Sequence, residues 1–549
     1  MRLRCVFFSF LIGILSVELA AQQQPNILWL TCEDISPTLS MYGDATASTP
    51  NLDRLAAESL IFTQAFATVG VCGPSRSSII TGMYPISIGT QHMRAGKDIM
   101  GWGTREYSGE SKAQDINGLP VPLYSAVLPS AVKCFTEYLR KQDYFCTNNP
   151  KTDYQFAAPL TSWDENGNDA HWKHREEGQP FFAVFNSSTT HESRIWYNAK
   201  KKLTVDPAEV PLPDYYPDTE TVRRDVARNY SNIELMDAEI GERIRELEEA
   251  GLLDNTIIFF FSDHGGPLPR GKREHYVSGL RVPMMVRLPD QLQQEFREEM
   301  VSFVDLAPTI LSLAGIEIPD HLQGRAFLGG QKTTGKPYIF GSGDRFDEFS
   351  DRIRSVITKD FVYVRNYHTE LPAYKDVSYR KSIPMMNELL EMRAAGKLDE
   401  NQEYWFRNTK TAEEFYVRAT DPFNLNNEIR NPAYEEEITE LRNVMDAWLA
   451  EVGDRSTIPE TEMLNEMWPD GVQPVCPAPK VECKKGVVTC STQLEGASLA
   501  YHLTSESVTP GTESGWQPYH QPIQLKEDQH MYVVNTRIGY RDSEIIKVK

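Results

Sequence analysis

The hydrophobic pattern along the chain alternates between two periods. Short continuous apolar runs, suited to strands buried on both faces, are separated by stretches whose apolar residues recur every three or four positions. Asn26 to Cys32 is the first run and reads as a buried strand. The pattern then predicts a helix from Asn51 to Ser59, a strand from Phe181 to Phe185, and a strand from Thr256 to Phe261. Before the last strand lies an amphipathic helix, Val226 to Ala250. It carries Tyr230, Ile233, Met236, Ile240, Ile244 and Leu247 on one face, and Gly251 is its stop signal. This alternation predicts an α/β domain over residues 24–335, with a large, mostly parallel sheet sandwiched by helices.

Beyond that domain the pattern changes. Strand-like segments at Ser355 to Ile357, Phe361 to Val364 and Glu414 to Arg418 precede a helix from Pro432 to Glu451, which predicts a smaller α+β subdomain over residues 336–455. Residues 456–480 hold several prolines and no evident period, so they read as a linker. Residues 481–549 show only short strand-like runs and read as a small appended β-module. At the other end, Met1 to Arg4 is basic and Cys5 to Val17 is apolar but short for a bilayer. Ala20 and Ala21 offer a small-residue cleavage site. Residues 1–21 therefore read as a signal peptide, and the protein is expected to be secreted or periplasmic with no membrane span.

The chain of 549 residues carries 56 Lys and Arg against 77 Asp and Glu, a net charge of −21. That balance argues against nucleic acid and against an anionic membrane surface as partners. An anionic substrate is compatible only if basic groups gather in one pocket. The eight cysteines are few for this length. Cys134 with Cys146, and two of Cys476, Cys483 and Cys490, are candidate pairs.

One cysteine stands in a richer context. Cys72-Gly73-Pro74-Ser75-Arg76 runs into Ser77-Ser78-Ile79-Ile80-Thr81-Gly82. Pro74 suits the first turn of a helix and Gly82 its end. A helix N-terminus attracts anions through its free N–H groups. A lone cysteine there is equally compatible with a buried small hydrophobe or half of a disulfide. Carboxylates follow two strands directly, as Glu33-Asp34 and as Asp263-His264. Strand ends of open α/β sheets are where ligands bind, and clustered carboxylates suit a hard cation. Each pair alone reads equally well as solvated loop acids.

Taken together, Cys-x-Pro-Ser-Arg with its downstream Thr-Gly, Asn-Ile-Leu-Trp-Leu-x-x-Glu-Asp and Phe-Ser-Asp-His-Gly resemble the type I formylglycine-dependent sulfatases of the alkaline phosphatase superfamily. The resemblance runs from Pro25 to about Asp454. It includes the stretch from Asp305 to Leu311 and the region from Asp421 to Asn424. It implies that Cys72 is oxidised by a separate maturation enzyme to formylglycine, whose hydrated aldehyde attacks sulfur. The covalent sulfate then leaves by C–O cleavage. It also implies one Ca²⁺ held by Glu33, Asp34, residue 72, Asp263 and His264. The first acid of that set is usually Asp, and here it is Glu33.

The resemblance assigns the basic groups as well. Arg76 matches the arginine that orients formylglycine. His191 matches the histidine that contacts sulfate and protonates the leaving oxygen. Lys272 matches the lysine that bridges sulfate and leaving group, with Arg270 and Arg273 as alternatives in register. Relatives carry Gly-Lys-x-His where this chain has Asn149-Pro150-Lys151-Thr152-Asp153. Lys151 fits the sulfate-binding lysine, but Asp153 stands in place of the histidine base. Either Asp153 takes that role or another residue does, with His92 a candidate, and His92 and Arg94 are also candidates for sugar contact. Asp344, Arg345 and His368 are further candidates for substrate contact, and the C-terminal module resembles the small β-sandwich of some chitobiases. The expected activity is hydrolysis of sulfate esters on a sulfated polysaccharide, leaning to algal glycans such as ulvan. The alternatives are a phosphatase or phosphonate hydrolase of the same superfamily, and a non-catalytic sulfated-glycan binding protein.

Overall fold

Eight strands form the main sheet in a computed structural model that describes residues 24–549, apart from 104–106, 108–110, 507, 512–514 and 549. The expected signal peptide, residues 1–21, lies outside the described residues. The strands are β1 (Asn26–Cys32), β2 (Leu60–Phe66), β3 (Phe145–Asn149), β4 (Glu165–Asn166), β5 (Phe181–Ser187), β6 (Thr256–Ser262), β7 (Arg281–Arg287) and β8 (Glu295–Ser302), in the order β4-β3-β5-β1-β6-β7-β2-β8. From β4 to β6 every neighbour is parallel. Only β7 runs against its neighbours β6 and β2, and β8 is parallel to β2. Five parallel strands therefore release their following loops at one edge of the sheet, and the candidate residues sit on those loops.

The sheet is covered on both faces, as its unbroken apolar runs require. Along β1, Ile27 and Trp29 join one core and Leu28, Leu30 and Cys32 the other. The helix Glu220–Glu249 buries Ile233, Met236, Ile240, Ile244 and Leu247 in the second core. It begins earlier than its apolar stripe predicts because Thr219 caps it, accepting the Val222 N–H at 3.2 Å. On the opposite face lie the helices Cys72–Thr81 and Leu306–Leu313, which contribute Ile79, Ile80, Leu306 and Ile310.

A second, antiparallel sheet follows, with β9 (Ile339–Gly343), β10 (Ile353–Ile357), β11 (Phe361–Asn366) and β12 (Glu413–Val417) in the order β12-β11-β10-β9. The helix Glu435–Val452 packs on it, with Trp448 stacked on Phe340 at 4.6 Å. The residues after 480 form two small antiparallel sheets of three and four strands. They dock on the first domain through Leu160 against Ala500, Trp516 and Tyr532, and through Arg140, which donates to the Trp516 carbonyl at 2.7 Å.

Two expectations need correction. Residues 456–480 are not a featureless linker: Glu460–Met467 is helical, and Met463, Leu464 and Met467 enter the main core. Their helical spacing is masked in the sequence by Pro459 and Pro469, which bracket the helix rather than break it. The candidate cysteine pairs are also free thiols, with Cys134 and Cys146 buried as ordinary core residues. Among the described residues, no helix is long and apolar enough to cross a membrane.

Candidate active site

Three adjacent parallel strands build the floor of the site. β1 lies between β5 and β6, so Glu33 and Asp34 emerge beside His191 on one side and beside Asp263 and His264 on the other. β3, next along the sheet, delivers Lys151. The helix Cys72–Thr81 brings Cys72 as its first residue, and the whole helix is buried. A Cβ at Gly73 would come within 2.7 Å of the Gln155 amide, so a larger residue there would have to displace that side chain from its bonds to the His92 carbonyl and the Ala95 N–H. Gly82 closes the helix in the left-handed region at φ 68°. Asp34 adopts φ 53°, an uncommon conformation for a residue with a Cβ and one that collects at functional sites.

Around Cys72 the polar contacts converge. Its Sγ lies 3.3 Å from His264 Nε2 and 4.0 Å from Asp34 Oδ1. His264 Nε2 is 3.0 Å from Asp34 Oδ1 and 3.6 Å from Asp263 Oδ1. The other Asp34 oxygen accepts from Lys272 Nζ and from the Glu192 N–H, both at 2.7 Å. Arg76 donates from Nε to Asp263 Oδ2 at 3.0 Å and from Nη1 to Asn186 Oδ1 at 2.8 Å. Lys151 bonds Glu33 Oε2 and lies 3.7 Å from Asp153 Oδ2. His191 Nε2 is 3.8 Å from that same Glu33 oxygen.

Two overlapping sets have ligand atoms mutually within 4.8 Å: Glu33, Asp34, Cys72 and His191, and Asp34, Cys72, Asp263 and His264. Three buried carboxylates among these donors fit a hard divalent cation, because such charges persist out of water only when paired. Both sets contain Asp34 and Cys72, which places the candidate metal centre at their shared edge.

The electrostatics follow from this crowding. Burial alone would raise the Asp34 carboxyl, yet Lys272 and His264 hold it well below the usual carboxylate range. Burial likewise opposes a charged His264, but Asp263, Asp34 and Cys72 raise it to about 10. Burial also works against the ammonium groups of Lys151 and Lys272, and the Cys72 sulfur with neighbouring carboxylates overrides it and holds both protonated. His191 goes the other way: burial, then Lys272, push it well below the ordinary histidine value. Its Nδ1 accepts the Ser193 N–H at 3.2 Å, so the neutral ring carries its proton on Nε2. Asp153 is buried at φ 53°. Burial alone would raise its carboxyl, but Arg94, 3.6 Å away, and Lys151 keep it below its normal value.

Of the three basic candidates near Lys272, only Lys272 reaches Asp34. Arg273 bridges Glu192 and Asp347, and Arg270 turns to the Asn424 carbonyl. Arg94 joins Glu33, Lys151, His191 and Lys272 in lining an open cleft of about 390 Å³. The structure does not bring the other sugar-contact candidates together there. His92, Arg345 and Glu460 form a buried cluster, with Arg345 Nη2 bonding Glu460 Oε1 at 2.7 Å and His92 Nδ1 3.8 Å from Oε2. Asp344 pairs with the buried Arg354 at 3.0 Å. His368 lies 3.3 Å from Glu370, outside the cleft lining. None of these four residues lines the cleft: His92, Arg345 and Asp344 pair with buried charged groups elsewhere, and His368 pairs within its own segment. Sequence reasoning missed Glu192, Asp347, Asn186 and Tyr379. Glu192 carried a weak signal as the acid directly after His191.

A family model described as Sulfatase matches residues 25–316. The chain is 42% identical to an ulvan-active sulfatase of Formosa agariphila, over 98% of this chain and 93% of that one. It is 26% identical to human N-sulphoglucosamine sulphohydrolase, over 84% and 97% of the two chains. Among solved structures, one from work on glycosaminoglycan metabolism by Bacteroides thetaiotaomicron matches with a TM-score of 0.55 at 16% identity, covering 81% of this chain and all of that one.

Proposed function

The chain belongs to the sulfatase family and is a sulfuric ester hydrolase, and from that premise we propose that it is an exported enzyme that removes sulfate from a sulfated polysaccharide or its oligosaccharides, with ulvan as the leading substrate. The observation that carries the reading is the placement of Cys72. It heads a buried helix, in contact with His264 and beside Asp34, within a cluster of carboxylates that Lys151 and Lys272 pair with. The ulvan assignment draws on the Formosa agariphila relative. The basic start and short apolar run of the N-terminal sequence support export to the periplasm or beyond.

On this reading Cys72, oxidised to formylglycine by a maturation enzyme, supplies a hydrated aldehyde as the nucleophile. Glu33, Asp34, Asp263 and His264, together with residue 72, would hold Ca²⁺, which supplies a Lewis acid to the sulfate oxygens. Arg76, pinned by Asp263 and Asn186, fixes the orientation of residue 72. The ammonium groups of Lys151 and Lys272 are aimed at the same space and offset charge that builds on sulfate in the transition state. His191 offers its Nε2–H to the leaving oxygen as a hydrogen-bond donor, held in that tautomer by Ser193, and stabilises the charge that develops there. Asp153, not His92, accepts the proton in the recycling step, since His92 is locked against Glu460 and Asp153 stands among the sulfate-binding cations.

The test combines mass and product. After expression with a formylglycine-generating enzyme, intact mass should show Cys72 converted, and sulfate should be released from ulvan oligosaccharides. The panel includes carrageenan and glycosaminoglycan oligosaccharides and a matched phosphate ester. Converted protein that releases phosphate but no sulfate, or neither, refutes the reading. Release from a different glycan replaces ulvan alone.

A further inference from the structure

The cleft holds a feature that the proposed reaction does not use. Tyr379 lines it beside His191, Lys151 and Lys272, and is 41% exposed. Its ring centroid lies 6.5 Å from the His191 imidazole and 5.1 Å from Trp196, which meets it edge-on. Trp196 in turn contacts Tyr197 at 5.6 Å, and Tyr197 is 68% exposed. Four rings thus run in unbroken contact from His191 out to solvent. Tyr379 and Tyr197 are exposed, while Trp196 between them is partly buried against the second core; exposed large aromatics beside a charged cleft point to a partner that covers them.

Both carriers of these rings are anchored. Tyr379 immediately precedes Arg380, whose buried guanidinium donates to the Lys272 carbonyl at 3.1 Å and lies over the Trp405 ring. Trp196 and Tyr197 sit on the short helix Arg194–Tyr197, and Arg194 donates back to the Ser188 carbonyl at 3.2 Å. The rings are therefore tied to the same loops that hold Lys272 and His191. Little ordering remains to be done when a ligand lies on them.

We propose that Tyr379, Trp196 and Tyr197 form a carbohydrate-binding strip that sets the enzyme's preference for a saccharide chain over a small sulfate ester. The inference rests on the sulfatase reading above and deepens it. A pyranose presents apolar C–H faces and a polar rim. An aromatic ring buries the face while the hydroxyls stay in water. The sugar that bears the sulfate lies on Tyr379, one ring's reach from His191. The neighbouring sugars extend over Trp196 and Tyr197.

The test uses the converted enzyme with sulfated mono-, di- and tetrasaccharides of whichever glycan the wild type hydrolyses, and inorganic sulfate as a competitive inhibitor. Tyr379→Ala should raise KM about tenfold at every length, the loss of one good aromatic contact. Tyr379→Phe, which keeps the ring, should recover most of it. Tyr197→Ala should raise KM by a factor that grows with chain length. In all three the change should fall on KM rather than kcat, and inhibition by inorganic sulfate should hold. An unchanged KM for Tyr379→Ala overturns the strip, as does a Phe variant no better than Ala. Weaker sulfate inhibition in step with KM overturns it too, because the sulfate pocket itself would then be disturbed. A wild type that turns over no sulfated saccharide refutes the sulfatase reading, and the strip falls with it.

Discussion

Glu460→Ala should destabilise the protein strongly while leaving the sulfate chemistry in place. Glu460 and Arg345 are among the most deeply buried charged side chains in the chain, 1% and 2% exposed. The carboxylate meets the guanidinium at both oxygens and accepts from the Tyr124 hydroxyl at 3.0 Å. Arg345 completes its bonding on the carbonyls of Met93 and Asp347, at 2.7 and 2.8 Å. Removing the acid strands a guanidinium that water cannot reach, at a cost of about 3–5 kcal/mol. Replacing both charges by apolar side chains removes both desolvation penalties, so Arg345→Met with Glu460→Met should cost less than either single change. Urea unfolding of the two single variants and the pair closes a double-mutant cycle. Sulfate release, assayed where each variant is folded, should keep its KM. Single variants that lose under about 1 kcal/mol would refute the buried-pair argument. A raised KM at unchanged stability would instead return His92 and Arg345 to the substrate.

Other outcomes follow from the site. Asp153→Asn should lower kcat by roughly 10²–10⁴-fold, the usual worth of a positioned base, with enzyme-bound sulfate accumulating in intact-mass spectra; a variant that turns over normally would clear Asp153 of the role. Chelation should abolish sulfate release and lower the unfolding midpoint, and Ca²⁺ at about 100 times its dissociation constant should return about 2.7 kcal/mol. His275 is buried with both ring nitrogens unpartnered, and burial, with Lys375, Lys410, Arg407 and Arg270 around it, pushes its pKa well below the ordinary value. Its folded pKa lies below its unfolded one, so its contribution is full above about pH 6.5 and is lost as pH falls through that value, at about 1.4 kcal/mol per unit. His275→Phe should flatten the acid limb of stability by about one proton, and an unchanged slope would show that the ring is charged or solvated.

Legibility in the sequence depended on how local each signal was. β1 and β6 were readable because burial on both faces leaves an unbroken apolar run that needs no partner to interpret. β3 was not: its residues Thr147, Asn148 and Asn149 are polar, and tertiary pairing to β5 and to Asn166 makes it a strand. The nucleophile and both metal pairs were legible because each sits next to a strand or helix end within one short motif. Asp347, Tyr379 and Glu460 were not, because each meets its partners across more than a hundred residues or from a loop with no period. The Glu460 case also explains the misplaced candidates. His92 and Arg345 look like free polar groups along the chain until the helix that pairs with them is in place.

The charge balance gives the last step. A net −21 seemed wrong for an anionic substrate unless one pocket concentrated basic groups. The cleft does gather Arg94, Lys151, Arg194, Lys272 and Arg273, with Arg76 on the helix that Cys72 heads, yet five of these six are already paired to a carboxylate: Arg76 to Asp263, Arg94 to Asp153, Lys151 to Glu33, Lys272 to Asp34 and Arg273 to Glu192, with Asp347 as a sixth acid, while Arg194 bonds Ser188. Six cationic side chains balance six acids, and a protonated His264 adds only one positive charge among them. Releasing some of those pairs would give such a site more positive charge to offer a sulfate ester. A divalent cation seated among Glu33, Asp34 and Asp263 does that: it takes over the carboxylates and leaves Lys151, Lys272 and Arg76 with charge to spare for the substrate. On the proposed reading the cation's electrostatic role is thus twofold, acting on sulfate directly and unmasking the lysines. Metal binding should therefore tighten inorganic sulfate in the unconverted Cys72 protein as well, where no turnover is possible. Sulfate affinity that is equal with and without Ca²⁺ in that protein would break the argument.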